Sequence, residues 1–291
     1  MTPSPTDATV VFVAFGVQTL PLDWIPSGAP VVIVHNDPLL DEEQSNHPGV
    51  THVRPGENLG FGRGVNLAVE FVRSRRVIVC NPDVELGRSH WAALASGAAD
   101  EVVTVRLRTS TGQPMASVLP YPSPIVLAAG TFRTVRIAPP GSRRRALLTK
   151  LLGTWGQDRR WTVETPPGRF SLRDRWVSGA VFSIDTELFR RVGGFDTDYF
   201  LYLEDTDLSG RLATLDPPIV AVVADAEPGI HAVGGSARDV PAARLARRAQ
   251  WESAARYASL RSGWEWVGIG VALRCGSMID RVMHPNIRIG A

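Results

Sequence analysis

The apolar positions of the first hundred residues fall into short blocks separated by polar turns. Val10 to Phe15, Val31 to His35, Val50 to Arg54 and Val77 to Cys80 are runs rich in β-branched residues, and such runs predict strands. Between the last two, Phe61 to Arg73 reads as a helix. Strand, helix and strand in that order predict a βαβ-type nucleotide-binding half. The middle of the chain, from about Val102 to Arg175, is interrupted by prolines such as Pro114, Pro120, Pro139 and Pro166 and gives no clean period. It reads as later strands of the sheet plus a long insertion.

Regular patterning returns after Trp176. Val177-Ser178-Gly179-Ala180 is a backbone turn without bulky side chains, and Val181-Phe182-Ser183-Ile184 continues it as a strand. Thr186 to Val192 reads as a short capped helix that Gly193-Gly194 ends. Glu204 to Leu212 has helical spacing, Ile219 to Ala224 is another apolar run, and Pro241 to Leu260 reads as an amphipathic helix. Trp264 to Ile279 places apolar residues beside Arg261, Arg274 and Arg281. A buried C-terminal helix fits it, and so does a helix lying flat on a bilayer. With no internal repeat or low-complexity linker, the simplest division is a domain over residues 1–240 and a helical extension over 241–291 packed on it.

Composition changes this picture little. A chain of 291 residues, 44% hydrophobic and 21% charged, buries one large core or two moderate ones. The net charge of +2 hides a basic segment, residues 133–175, whose arginines suit a pyrophosphate, an anionic membrane or plain solvent. Cys80 and Cys275 lack C-x-x-C spacing, which argues against a disulfide scaffold or structural zinc and fits a reducing cytoplasm. No run reaches the roughly 18 to 20 apolar residues of a spanning helix, so a cytoplasmic protein, at most peripheral at the inner face of the membrane, is expected. No feature points to nucleic acid.

The chemistry concentrates between Trp176 and Leu212. Glu204, Asp205 and Asp207 follow an aromatic run of Phe195, Tyr199, Phe200 and Tyr202. A buried acidic cluster is costly unless it binds a cation or handles a proton, although acidic residues in a first helical turn also serve as caps. The aromatic run fits a sugar platform or a core wedge. Two other places stand out. Gly60-Phe61-Gly62-Arg63-Gly64 lacks the G-x-G-x-x-G spacing of a dinucleotide fingerprint. Asp83 follows the strand Val77 to Cys80, and so emerges at the carboxyl end of the sheet, where ligands of open α/β folds bind.

Three ordered segments carry a resemblance. Gly193-Gly194-Phe195-Asp196 through Glu204-Asp205 to Leu212, Asn58-Leu59-Gly60-Phe61 with Asn66, and Val77 to Cys80 ending in Asn81-Pro82-Asp83 are together similar to family-two inverting glycosyltransferases, especially their rhamnosyltransferase-like branch. The resemblance implies the GT-A fold, a mixed α/β sheet flanked by helices. It implies transfer of a sugar from a nucleotide diphosphate, with a dTDP-linked deoxysugar such as L-rhamnose the best guess, to a cell-surface glycan or a polyprenyl-diphosphate-linked saccharide. Asp205 is then the general base with Glu204 beside it. Donor contacts fall to Phe15, Asn36, Asn58, Gly60, Arg63, Asn66, Asn81 and Asp83. Acceptor contacts fall to Ser178, Gly179, Tyr199, Tyr202 and Glu204. A divalent metal, Mg²⁺ or Mn²⁺, is expected at Asp83 and His231, because hard cations take oxygen ligands and bridge to phosphates. Ser236 and Arg238 are further phosphate candidates, and Asp207 is expected to pair with Arg211 four residues on.

The chain also departs from the family pattern. Asn81 replaces the first aspartate of an Asp-x-Asp motif, His35-Asn36-Asp37 replaces a nucleobase-reading Asp-Asn, and Ala14-Phe15-Gly16 replaces a Thr-Tyr-Asn-like run. These changes fit an unusual donor, and equally a degenerate member that only binds saccharide. A nucleotidyltransferase is a further alternative, but its N-terminal Gly-rich phosphate loop is missing.

Overall fold

A computed structural model describes residues 3–16, 19–37, 47–134, 163–232 and 240–283. Most of the basic segment, and Ser236 and Arg238, lie outside the described residues.

The four apolar runs of the first half form β1 (Ala8–Ala14), β2 (Val31–His35), β3 (Val50–Val53) and β4 (Arg76–Cys80), with α1 (Phe61–Val69) between the last two. Helix α1 stops four residues before the expected Arg73. Its end tightens into i→i+3 bonds, with the amides of Glu70, Phe71 and Val72 donating to the carbonyls of Leu67, Ala68 and Val69. The Arg73 guanidinium then caps the Glu70 carbonyl at 2.7 Å. Beyond β4 come β5 (Val84–Glu85), α2 (Ser89–Ala95), β6 (Glu101–Thr104), β7 (Leu107–Thr109), β8 (Pro114–Met115), β9 (Val118–Pro120) and α3 (Pro124–Thr134). The second half supplies β10 (Gly168–Ser171), β11 (Arg175–Val177), β12 (Val181–Asp185), α4 (Thr186–Arg191), α5 (Glu204–Leu212), β13 (Val220–Val223) and β14 (Gly229–His231). Helices α6 (Val240–Ser259) and α7 (Trp264–Met283) follow.

An eight-stranded sheet in the order β10-β13-β6-β12-β4-β1-β2-β3 is the spine of the molecule. Strands β3, β2, β1 and β4 run parallel, and β12 is inserted antiparallel between β4 and β6. The continuous apolar runs reflect burial on both faces. Val11, Val13, Val32, Val34, Val77 and Val79 face one side, where Val65 and Ala68 of α1, Leu188 of α4 and Leu208 of α5 cover them. Val10, Phe12, Val31, Ile33 and Ile78 alternate to the other side, under Trp24 and under Trp91 and Leu94 of α2. Arg76, at the start of β4, is wholly buried and is kept there by hydrogen bonds to the carbonyls of Ala98, Glu101 and Ser183.

This topology fixes where a site can form. The chain moves outward from β1 through β2 to β3, then returns to the other side of β1 as β4, so the order reverses between β1 and β4 at their carboxyl ends. Because β12 is antiparallel to β4, with Val181 opposite Cys80, the turn before β12 arrives at that same edge. A four-stranded sheet, β5-β14-β7-β8, pairs His231 with Val84 there.

Helices α6 and α7 fold back on each other through Gly263, whose φ of +118° suits a residue without a side chain. Their pairing is read from Arg248 against Asp280, Trp251 against Gly276 and Tyr257 against Trp266. The hairpin buries Trp251, Tyr257 and Leu273 together with Leu127 of α3 and Tyr199 of the loop before α5. No described helix is long and apolar enough to cross a membrane.

Candidate active site

Helix α5 begins in an uncommon way. Tyr202 and Leu203, the two residues before it, both lie in the left-handed region at φ 73° and 68°. Each costs roughly 1–3 kcal/mol of backbone strain. The double turn brings Glu204 and Asp205 in toward the sheet edge. Glu204 is buried and its Oε2 has no hydrogen-bond partner among the described residues. Asp205 stays partly exposed and is well supplied with donors. Its Oδ2 accepts the Gly179 N–H at 2.8 Å, and its Oδ1 accepts the Thr206 N–H at 2.7 Å and the Thr206 hydroxyl at 3.3 Å.

That asymmetry separates the two carboxyls. Burial pushes Glu204 well above the usual carboxylate range, and the neighbouring Asp205 charge adds to the push. Burial also raises Asp205, but the bonds from Gly179 and Thr206 favour its charged form and oppose the rise. Burial and the neighbouring charge thus favour a proton on Glu204 more than on Asp205. Asp205 is the partly exposed member of the pair and the one held by hydrogen-bond donors.

A stability consequence follows from the same pair. A carboxyl raised on folding binds more protons folded than unfolded, so its contribution falls as pH rises from the unfolded value through the folded one. Glu204→Gln removes that ionisation. The Tm of the variant relative to wild type is expected to climb between pH 5 and pH 8 in parallel scans. A difference that stays flat or shrinks contradicts a raised Glu204.

The remaining polar groups reach Asp205 through backbone. Gly179, which holds the carboxylate, precedes Ala180, whose carbonyl accepts the Asn81 N–H at 2.8 Å. Asp83 lies two residues further on, with its Oδ1 3.2 Å from His231 Nε2. The Asp83 carbonyl also accepts the Ala232 N–H at 2.9 Å. His231 Nδ1 is buried without a hydrogen-bond partner among the described residues. One carboxylate and one imidazole at an open sheet edge fit a hard cation whose other positions are filled by phosphate oxygens and water. Among the described residues no group of three or more histidine, cysteine or acidic side chains could enclose a metal alone. Asp207 pairs with Arg211 at 2.8 Å, and Arg211 also donates to the carbonyls of Val192 and Gly194 after α4.

Several residues expected to touch ligand are engaged in building the loops. Asn36 donates to the Gly60 carbonyl at 2.7 Å and accepts from Leu59, and Asn58 accepts the Gly60 N–H at 2.9 Å. Asn66 holds Phe195 from both sides, donating to its carbonyl and accepting its N–H. Arg63 was expected on the donor phosphates. It instead donates to the Thr197 carbonyl at 2.7 Å and lines a cavity under the α6–α7 hairpin, because α1 turns that face toward the loop before α5. Tyr199 was expected as an acceptor platform. Its ring is wholly buried, 5.4 Å beneath the Arg256 guanidinium, and belongs to the hairpin core. Tyr202 is exposed, and Phe15 is half-buried just past β1. Gly179 was expected against the acceptor, and its amide is turned to Asp205. Ser178, half-buried, donates its N–H to the Ser117 carbonyl at 2.9 Å. Thr206 was missed; a hydroxyl directly after an acidic pair in a first helical turn was the available signal.

No family model matches the chain. The N-acetylglucosaminyl-diphospho-decaprenol L-rhamnosyltransferases of two Mycobacterium tuberculosis strains, CDC 1551 / Oshkosh and ATCC 25618 / H37Rv, are each 30% identical over 214 residues. The match covers 69% of this chain and 64% of each relative, so the chain spans a little under two thirds of their length. Among solved structures, a mannosyltransferase from Pyrobaculum calidifontis in complex with GDP-Man and Mn²⁺ aligns with a TM-score of 0.49 at 14% identity, over 97% of this chain and 77% of that one. S. aureus TarS 1-349 aligns with a TM-score of 0.46 at 11% identity, over 96% and 73%. The chain is thus similar in sequence to the mycobacterial rhamnosyltransferases over 214 residues, and it carries a mixed α/β sheet flanked by helices.

Proposed function

We propose that the protein is an inverting glycosyltransferase that moves a deoxysugar, best L-rhamnose, from a dTDP-sugar to a hydroxyl of a polyprenyl-diphosphate-linked saccharide. The observation that carries the reading is the donor-held Asp205 beside a buried Glu204, one backbone bond from the Asn81-to-Asp83 turn at the sheet's reversal point. Support comes also from the sequence relationship to proteins named for rhamnosyl transfer onto N-acetylglucosaminyl-diphospho-decaprenol.

The reaction is a single displacement. The acceptor oxygen attacks the anomeric carbon from the face opposite the nucleotide, and the bond from that carbon to the diphosphate oxygen breaks. The nucleoside diphosphate leaves with the electron pair, and the hydroxyl proton passes to the Asp205 carboxylate. Gly179 and Thr206 keep that carboxylate aimed and ionised until then. Asp83 and His231 would hold a divalent cation, which when bound neutralises charge on the departing diphosphate. One base suffices, and the neighbouring Glu204 carboxyl would orient the acceptor.

A thermal-shift screen of nucleotides and nucleotide sugars, with and without Mn²⁺, tests the reading, since a ligand of the folded state raises Tm. A Mn²⁺-dependent shift with dTDP and dTDP-sugars is expected in wild type. In Asp83→Ala the metal-dependent part should disappear. Absence of a shift with every nucleotide in wild type overturns the donor assignment.

A further inference from the structure

Between the α6–α7 hairpin and the loop before α5 lies a cavity of about 650 Å³, which none of the roles above uses. Four arginines line it, Arg63, Arg256, Arg274 and Arg281, against two carboxylates, Asp198 and Glu252. The carboxylates are already taken: Asp198 lies 2.7 Å from Arg256, which Asp196 also holds, and Glu252 lies 2.7 Å from Arg281. Arg274 has no ion pair among the described residues, and Arg63 meets only the Thr197 carbonyl. The wall thus presents two guanidinium groups without counter-charge, together with Ser277, while the Ser253 hydroxyl donates to the Leu201 carbonyl. Two forked, uncompensated guanidiniums suit a group with several phosphate oxygens.

The rim of the cavity says what that group is attached to. Met278 lines the cavity and is also 66% exposed, so it belongs to both the wall and the outer face of α7. Along that face Trp264, Val267, Val271, Met278 and Val282 recur at helical spacing, and all are exposed, Trp264 at 89%. Glu265 is the one acidic side chain among the exposed residues of α7, where Arg274 and Arg281 are also exposed. A cavity with two uncompensated guanidiniums, whose lining residue Met278 also belongs to an exposed apolar stripe, fits an amphiphile with a diphosphate head.

We propose that this cavity binds the diphosphate of the lipid-linked acceptor, with the lipid leaving past Met278 along the apolar stripe of α7. The proposal rests on the transferase reading for the acceptor's identity. The geometry joins the two sites through α1, since Arg63 on the cavity wall follows Gly62, where an added Cβ would lie 3.7 Å from Glu204 Cβ. The saccharide between diphosphate and reacting hydroxyl would bridge from the cavity to Asp205.

The test is calorimetric titration of the full chain with farnesyl diphosphate, inorganic pyrophosphate and dTDP plus Mn²⁺, in wild type, Arg274→Gln and Arg274→Lys. Arg274 is exposed, so neither substitution is expected to disturb folding. Farnesyl diphosphate should bind wild type and lose roughly tenfold or more in Arg274→Gln, with Arg274→Lys in between. The dTDP affinity should be the same in all three. Unchanged farnesyl diphosphate binding in Arg274→Gln overturns the proposal. So does its displacement by dTDP, which puts it in the donor site, and so does pyrophosphate binding as tightly, which makes the cavity an anion site with no lipid preference. If farnesyl diphosphate binding depends on Arg274 while no nucleotide binds, the transferase reading fails and the cavity assignment stands. The reverse pattern separates them the other way.

Discussion

Asp205→Asn is expected to lower kcat by roughly 10²–10⁴-fold, the range a positioned general base contributes, while dTDP-sugar affinity stays within about twofold. The amide has nearly the shape of the carboxylate but cannot take the acceptor proton. Its NH₂ must also face either the Gly179 N–H or the two Thr206 donors, so a modest fall in Tm is expected and has to be measured alongside. The pH dependence gives a second reading of the same residue. Transfer needs the ionised form, so activity is present above the Asp205 pKa and lost below it. Burial raises that pKa above the ordinary 3.8, so the acid limb of kcat/KM should lie above 3.8. A kcat within about threefold of wild type in Asp205→Asn would remove the base from the account.

Gly60→Ala should damage both fold and activity. Gly60 precedes α1 at φ +77°, and an added Cβ would lie 2.1 Å from the Phe200 carbonyl oxygen, a backbone atom that cannot swing away. The same carbonyl accepts the Phe61 N–H at 2.9 Å, which ties α1 to the loop that leads into Glu204. At φ 77° and ψ −173° the backbone lies in a region that is essentially reserved for glycine, where alanine costs roughly 1–3 kcal/mol, and losing the bond adds about 1 kcal/mol. A fall in Tm of roughly 5–10 °C is therefore expected. Separation of the Phe200 loop from α1 should also misplace the double turn at Tyr202 and Leu203, so kcat should fall even well below the new Tm. A variant with wild-type Tm and kcat would show that this contact is not what sets the helix.

The strands were readable because each is a continuous apolar run covered on both faces, a local property of the chain. The pairing of Asp207 with Arg211 was readable for the same reason, being four residues apart on one helix. What could not be read depends on distant partners. Asn66 carries the side chain of a ligand contact, yet its amide serves Phe195, 129 residues away. Arg63 and Tyr199 took their places from the α6–α7 hairpin and the loop before α5, whose packing no local spacing announces. Helix α1 looked longer than it is because Glu70 to Arg73 keep a helical composition while their hydrogen bonds tighten to i→i+3. At the site, the acidic pair stood out in the sequence, but the donor that holds Asp205 from outside its own helix is the N–H of Gly179, 26 residues upstream.

The most direct test of the account is mass spectrometry of an N-acetylglucosaminyl-diphospho-lipid incubated with dTDP-L-rhamnose, Mn²⁺ and the full chain, beside Asp205→Asn. The account predicts a gain of one deoxyhexose on the acceptor with wild type and almost none with the variant, while both bind the nucleotide sugar. An unmodified acceptor with wild type that nonetheless binds the donor, or equal product from both proteins, would contradict it.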